Sequence, residues 1–190
     1  MRPAYGAEEI GIFGHDATIV VDVANVMGSR PDGWWRDRAG AAVRLHDQIA
    51  ELAASGRAIL PGDAEPGGNA EPAGNAEPRE NAERGQNAPA FVLVLEGAAR
   101  AAIPRLPSAV SSDLGSAGPP RPGEVRVVEA RGSGDDAIVA VVHELPGRRV
   151  VVTADRELRA RCAAAGAEIL GPGWLLGLLR EPRSPHAPRG

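Results

Sequence analysis

The chain has 190 residues, of which 43% are hydrophobic, and a formal net charge of -4. This composition suits one globular domain and excludes a protein that holds nucleic acid by bulk positive charge. All 21 basic residues are arginines, which excludes P-loop and Schiff-base chemistry because both need a lysine amine. A single cysteine, Cys162, and the lack of a long apolar run predict a cytoplasmic protein without disulfides.

The first predicted elements are a strand and a long helix that follow an irregular leader. Residues 1–17 show no hydrophobic period, whereas 18–23 form a β-branched run typical of a strand buried on both faces. Turn residues fill 25–33 and predict a loop. A helix is then expected from about 34–37 to 54, ended by Gly56, with a buried stripe of Ala42, Leu45, Ile49 and Leu52.

A six-residue repeat occupies 61–89. It is rich in Pro, Gly and Glu and has no large apolar side chain, and its period is marked by Asn69, Asn75, Asn81 and Asn87. A hexapeptide β-helix would need an apolar inward residue in every turn. We therefore expect a disordered acidic insert that cannot bury enough surface to offset the entropy of ordering.

Strands and helices alternate through the rest of the chain. Strands are predicted at 91–95, 125–129, 149–153 and 168–170, with helices at 135–144, 155–165 and 174–179 between or after them. This alternation predicts an α/β fold with three α/β/α layers and a mainly parallel sheet. We expect one domain over 18–181, interrupted by the insert, and a mobile tail at 182–190.

Acidic side chains follow several of these strands where each one ends. Asp22, Glu96, Asp135 with Asp136, and Asp155 all fall at carboxyl ends, where parallel sheets form their functional crevice. Clustered carboxylates need a proton or a cation between them, and oxygen ligands select Mg²⁺ or Mn²⁺. For Asp135 or Asp155 taken alone, capping of a helix is the commoner role. Asp22 has no predicted helix start beside it, and the conjunction of all these acids favours a metal site.

Polar and basic residues near the same crevice are candidates for substrate contacts. Asn25 could orient Asp22 or a metal-bound water, or form an Asx turn. Trp34 and Trp35 could stack on an unpaired base, although packing is the commoner use of tryptophan. Five residues could contact a phosphate or ribose of the substrate: Asn25, Ser29, Arg30, Arg38 and Thr153.

Three short motifs resemble the NYN branch of the PIN-like nucleases, and most closely its YacP-like group. They are DVANV at 22–26, GSGDD at 132–136 and TADREL at 153–158. The resemblance implies a PIN-like α/β sandwich and Mg²⁺- or Mn²⁺-dependent RNA cleavage. It implies catalysis by Asp22, Asp136 and Asp155, and metal ligation by these residues with Glu96 and Asp135. Val23 departs from the glycine usual after the first acid, and Glu96 stands where Asp is common.

Other functions remain open on the same residues. Gly132, Gly134 and Ala137 fit the dinucleotide-binding pattern G-x-G-x-x-A, with Asp155 about 20 residues on. However, Asp135 and Asp136 would repel a pyrophosphate at that helix start. A metal-dependent hydrolase of nucleoside triphosphates and a non-catalytic RNA-binding domain are the remaining alternatives to a ribonuclease with RNA as its partner.

Overall fold

Six strands in the described part of the chain form one parallel sheet. The structure is a computed structural model that describes residues 17–58, 60–62, 88–108, 110–111 and 118–180. The order across the sheet is β3-β4-β2-β1-β5-β6. Their bounds are β1 Ala17–Asp22, β2 Ala90–Leu95, β3 Val110–Ser111, β4 Val125–Glu129, β5 Arg148–Val152 and β6 Glu168–Leu170. The predicted leader except Ala17, nearly all of the predicted insert and the predicted tail lie outside the described residues.

Helices cover both faces of this sheet, so the predicted three-layer α/β/α class is confirmed. The helices are α1 Val23–Gly28, α2 Arg38–Ser55, α3 Gly134–Glu144, α4 Arg156–Ala164 and α5 Pro172–Arg180. Two 3-10 helices span Trp34–Arg36 and Gly97–Arg105. Among the described residues, no helix is both long and apolar enough to cross a membrane.

The core is divided by the sheet into two apolar clusters. Ile19 and Val21 of β1 pack with α1, α2 and α5 on one face, whereas Val20 packs with α3 and α4 on the other. Because successive side chains of a strand point to opposite faces, a central strand must be apolar throughout. All six residues of β1 are buried, and so are all six of β2.

Helix α2 follows its predicted pattern closely. Asp37 caps it by accepting a hydrogen bond from the Gly40 N–H at 2.8 Å, and Gly56 ends it in the left-handed conformation with φ 61°. The predicted stripe is buried against the sheet, with exposures of 2% or less at Ala42, Leu45, Ile49 and Leu52.

Helix α1 was predicted as loop, and that prediction is wrong. Asp22 caps it by accepting a hydrogen bond from the Asn25 N–H at 3.0 Å, so a helix start does lie beside Asp22. Val23, Val26 and Met27 form its buried face. A six-residue helix is too short to show a periodic stripe, and its Asn and Gly favour a turn when they are read locally. The two-residue strand β3 was missed for the same reason.

Strand β1 lies where the winding of the sheet reverses. It pairs with β2 on one side and with β5 on the other, and both pairings are parallel. The chain after β1 builds β2, β3 and β4 toward one edge, then crosses back to place β5 and β6 at the other. The carboxyl ends of β1, β2 and β5 therefore border the crevice in which such sheets bind ligands.

Candidate functional site

Four carboxylates from four separate segments line one open cleft of about 470 Å³. Asp22 ends β1, Glu96 follows β2, Asp135 lies in the first turn of the helix after β4, and Asp155 follows β5. The other lining residues are Ala24, Asn25, Gly28 and Ser29. Within the described residues, no arginine or histidine belongs to this lining. We call these four side chains and their cleft the acid cleft.

Asp22 is the most enclosed of the four acids, with an exposure of 8%. One oxygen, Oδ1, accepts the Asn25 N–H at 3.0 Å, and the other, Oδ2, accepts the Thr153 hydroxyl at 2.9 Å. Burial raises the pKa of Asp22, and the negative charges of Asp135 and Glu96 raise it further against these two hydrogen bonds. The fold therefore fixes the position of this carboxylate while it disfavours its charge.

Thr153 is hydrogen-bonded to two of the acid-cleft residues, Asp22 and Asp155. Its hydroxyl donates to Asp22 and accepts the Asp155 N–H at 3.1 Å. Its side chain is fully buried, at 0% exposed, so the predicted contact with a substrate phosphate does not fit this structure. Thr153 is instead a positioning residue for the two carboxylates.

Asn25 joins α1 to the turn between β5 and α4. Its side-chain Oδ1 accepts the Ala154 N–H at 3.0 Å, while its backbone N–H donates to Asp22. These two bonds hold the ends of β1 and β5 together at the wall of the acid cleft. The bond to Asp22 comes from the backbone amide of Asn25, so the predicted use of its side chain to orient Asp22 or a metal-bound water stays a prediction.

Glu96 lies against the start of α3. Its Oε2 accepts the Gly134 N–H at 2.8 Å, and a Cβ added to Gly134 would lie only 2.5 Å from that oxygen. A glycine is thus required at 134 for this approach. The same contact opposes the dinucleotide hypothesis, because the carboxylate of Glu96 already takes a helix N–H that a pyrophosphate would need.

The structure separates the neighbouring acids Asp135 and Asp136. Asp135 lines the acid cleft, and its pKa is raised by burial and then by the charges of Asp155 and Glu96. Asp136 is exposed and accepts a hydrogen bond at 2.6 Å from Nη2 of Arg161 on α4. Of the two, Asp135 rather than the predicted catalytic acid Asp136 faces the other carboxylates. Ser133, not either acid, caps α3.

Asp155 serves the helix and lines the cleft at once. Its Oδ1 accepts the Leu158 N–H at 2.8 Å as the N-cap of α4. Its side chain also borders the acid cleft, where its charge contributes to the raised pKa of Asp135. The two roles weighed for this residue are therefore compatible.

Of the predicted substrate contacts, Ser29 lines the acid cleft, whereas the two arginines, Arg30 and Arg38, are not among its lining residues. Arg30 instead borders a neighbouring groove together with Arg180, and its Nη2 donates to Gln48 Oε1 at 2.8 Å. The guanidinium of Arg38 lies over the ring of Trp34, 5.5 Å from its centroid.

The donor set of the acid cleft consists of carboxylates, which fit a hard cation such as Mg²⁺ or Mn²⁺ in type. In the part of the chain that is described, no three His, Cys, Asp or Glu side chains are arranged to hold one ion together. The predicted set of five ligands is therefore larger than this arrangement provides. Mg²⁺ is commonly bound through one or two protein carboxylates, with waters and substrate phosphates completing its shell. Asp22 and Asp135 both line this cleft, and burial raises the pKa of each.

Comparison with known proteins leaves the family of the chain unassigned. No protein-family model matches the sequence, and no curated protein matches it. A crystal structure of a single-site mutant of Rae1 (YacP) from Bacillus subtilis is similar, with 14% sequence identity and a TM-score of 0.48. The match covers 86% of this chain and 74% of that one. A likeness at this level gives the chain neither a family nor an activity.

Proposed function

We propose that this protein is a metal-dependent ribonuclease that hydrolyses RNA phosphodiesters at the acid cleft. The observation that carries the proposal is the convergence of Asp22, Glu96, Asp135 and Asp155 on one open cleft with no basic residue in its described lining. Catalytic sites commonly bring burial and like charges together in this way to shift pKa values.

The electrostatics of the cleft support a bound cation. Asp22 and Asp135 both have raised pKa values because burial and neighbouring carboxylates oppose their ionisation. A divalent ion reverses that effect, because it attracts each carboxylate more strongly than the carboxylates repel one another. Mg²⁺ or Mn²⁺ is the cofactor we propose, with Asp22 as the fixed ligand.

The side chains divide the remaining chemistry between them. The cation, when bound, polarises the phosphate and lowers the pKa of a coordinated water. Asp22 is held rigid by Thr153 and the α1 amide, as a ligand must be. Among the described residues, no hydrogen bond restrains the Asp135 carboxylate, so an Oδ atom is free to take a proton from the attacking water. The water oxygen forms a bond to phosphorus as the P–O bond to the leaving ribose oxygen breaks, and that ribose oxygen takes a proton from solvent.

Labelled RNA, labelled DNA and nucleoside triphosphates incubated with Mn²⁺ or EDTA test the proposal. We expect RNA to be cleaved with Mn²⁺ and not with EDTA. Asp22→Asn and Asp135→Asn should each lower the rate roughly 100-fold or more, because each removes a charged group from the reacting centre. Asp136→Asn is the matched control and should keep most of the activity.

Three results would contradict the proposal in different ways. Cleavage that persists in EDTA would show that the reaction needs no divalent metal. Hydrolysis of the triphosphates without RNA cleavage would make nucleoside triphosphates, and not RNA, the substrate. A larger loss in Asp136→Asn than in Asp135→Asn would show that the wrong acid has been placed at the reacting centre.

A further inference from the structure

The segment between α1 and α2 presents an aromatic and basic surface next to the acid cleft. It consists of Trp34, Trp35, Arg36 and Arg38, and we call it the tryptophan platform. Trp35 is 56% exposed, and in the described part of the chain only Val110 is another large hydrophobic residue with an exposed side chain. Exposing an indole ring costs free energy that burial would recover. Trp35 is therefore the feature of this segment that needs an explanation.

The platform begins at the rim of the acid cleft. Gly28 lines the cleft, and a Cβ added to it would lie 3.8 Å from Cζ2 of Trp34. The rings of Trp34 and Trp35 then meet edge to face, with centroids 6.4 Å apart. Gly33, at φ 76°, and the Asp32 carboxylate, which accepts the Trp34 N–H at 3.2 Å, form the turn that presents them.

The two tryptophans differ in how they are used. Trp34 is partly buried and packs against the main apolar cluster, so packing explains it. Trp35 leaves more than half its surface in solvent, and its ring extends the platform away from the core. A ring that contacts its neighbour edge to face and is open on its surface is suited to stacking with a flat ligand.

One arginine guanidinium lies over each of the two rings. The guanidinium of Arg36 lies 6.0 Å from the Trp35 centroid, and that of Arg38 lies over Trp34. Arg30 and Arg180 border the adjoining groove, where the pKa of Arg30 is lowered by burial and by the charges of Arg180 and Arg44, despite Asp32. A phosphate placed here would relieve this repulsion. Exposed aromatic rings beside cations are the means by which proteins hold unpaired nucleotides without reading their sequence.

From this arrangement we infer that Trp35 stacks on an unpaired base of an RNA strand whose neighbouring phosphodiester lies in the acid cleft. The placement of the strand rests on the proposed function, while the stacking rests on the platform itself. Single-stranded RNA is then the substrate class, because the base faces inside a duplex are already stacked on one another and only its two end pairs stay open to Trp35.

Binding measured in EDTA tests the platform without any cleavage. Fluorescence anisotropy with a short fluorescein-labelled oligouridine, and with a blunt RNA duplex of equal length, gives the two affinities. We expect the single strand to bind more tightly. Trp35→Ala should weaken its binding roughly 5- to 100-fold, and Trp35→Phe should retain most of it because a benzene ring still stacks. Val110→Ala, at the other exposed hydrophobic side chain, is the matched control and should change nothing.

Equal binding of oligouridine by the native chain and by Trp35→Ala would overturn the inference, and so would a duplex bound as tightly as the single strand. Two further results would distinguish a failure of the proposed function from a failure of this inference. If RNA is never cleaved with Mn²⁺ but binding still depends on Trp35, the platform stands and the ribonuclease falls. If cleavage depends on Mn²⁺ and Asp22 but its KM is unchanged in Trp35→Ala, the ribonuclease stands and the platform falls.

Discussion

Carboxylates at the two ends of the sheet have opposite surroundings. At the amino ends of the strands, Glu124 accepts a hydrogen bond from Arg126 Nε at 2.7 Å, and Glu168 accepts one from Arg148 Nε at the same distance. These arginines lower the pKa values of both glutamates. At the carboxyl ends, Asp22 and Asp135 have raised pKa values, and the described lining of their cleft contains no arginine.

This difference separates acids that stabilise the fold from acids that cost it stability. A paired carboxylate at the amino ends has its partner within the chain, so its charge is satisfied on folding. In the acid cleft, Asp22, Glu96 and Asp155 accept hydrogen bonds, but no basic residue in the described lining compensates the charge of the four carboxylates. Functional sites commonly give up stability in this way. Substitutions at the two ends should therefore have different consequences.

Among substitutions that leave all four carboxylates in place, the largest effect is expected at Gly134, whose missing Cβ lets Glu96 approach α3. In Gly134→Ala the new Cβ would collide with Oε2 of Glu96, which turns that flexible side chain away at little cost in stability. Loss of an oriented partner at a metal site usually costs roughly 10- to 100-fold in affinity or activity. We expect that loss in the Mn²⁺ dependence of RNA cleavage.

The matched control for this substitution is Gly132→Ala. Nothing lies within 4 Å of the Cβ that it would add, so the Mn²⁺ dependence should match that of the native chain. An equal loss in both variants would mean that the loop before α3, and not the position of Glu96, controls the site.

Smaller effects are expected on the free energy of unfolding in EDTA. Removing a carboxylate charge should raise it at the carboxyl ends of the strands and lower it at their amino ends. Asp22→Asn keeps the cap through its amide oxygen, and its NH2 group donates to the Thr153 hydroxyl, which reverses that bond. Because the substitution also removes the charge, it should stabilise the fold at neutral pH by about 0.5 to 2 kcal/mol. Glu124→Gln removes a charged partner of the buried Arg126 and should destabilise by about 1 to 3 kcal/mol. Urea unfolding of both variants and of the native chain measures the two changes.

The signs should also differ in their dependence on pH. Because the folded pKa of Asp22 is raised, its ionisation opposes folding at neutral pH, and this penalty disappears as pH falls through the folded pKa. Because the folded pKa of Glu124 is lowered, its stabilisation is present above the unfolded pKa and is lost as pH falls through the folded pKa. Destabilisation by both substitutions at neutral pH would break the comparison.

Sequence patterns were sufficient to predict a helix or strand where the burial of its side chains follows from the periodicity of that element alone. The stripe of α2 and the strand Val125–Glu129 follow from local periodicity, and the acids at strand ends follow from the parallel topology. Asp135 and Asp136 were inseparable, since adjacent residues at a helix start differ only in the direction they face. That direction is set by the position of α4, which brings Arg161 to Asp136.

Other contacts join residues that are far apart in the chain, so no local pattern reports them. Thr153 reaches Asp22 across 131 positions, and its burial follows from the pairing of β5 with β1. His46, for which no local pattern indicated a role, is buried at 1% exposed and has its Nε2 at 2.6 Å from Ser108 Oγ, 62 positions away. This bond fastens the segment after the second 3-10 helix to α2.

The most direct test of a cation bound by the acid cleft is thermal unfolding of the EDTA-treated protein during a Mn²⁺ titration. We expect Mn²⁺ to stabilise the native chain, by about 2.7 kcal/mol at a hundredfold excess over its dissociation constant. The same stabilisation should appear in Asp136→Asn and be absent from Asp22→Asn with Asp135→Asn. No stabilisation of the native chain, or an equal one in the double variant, would contradict the bound cation.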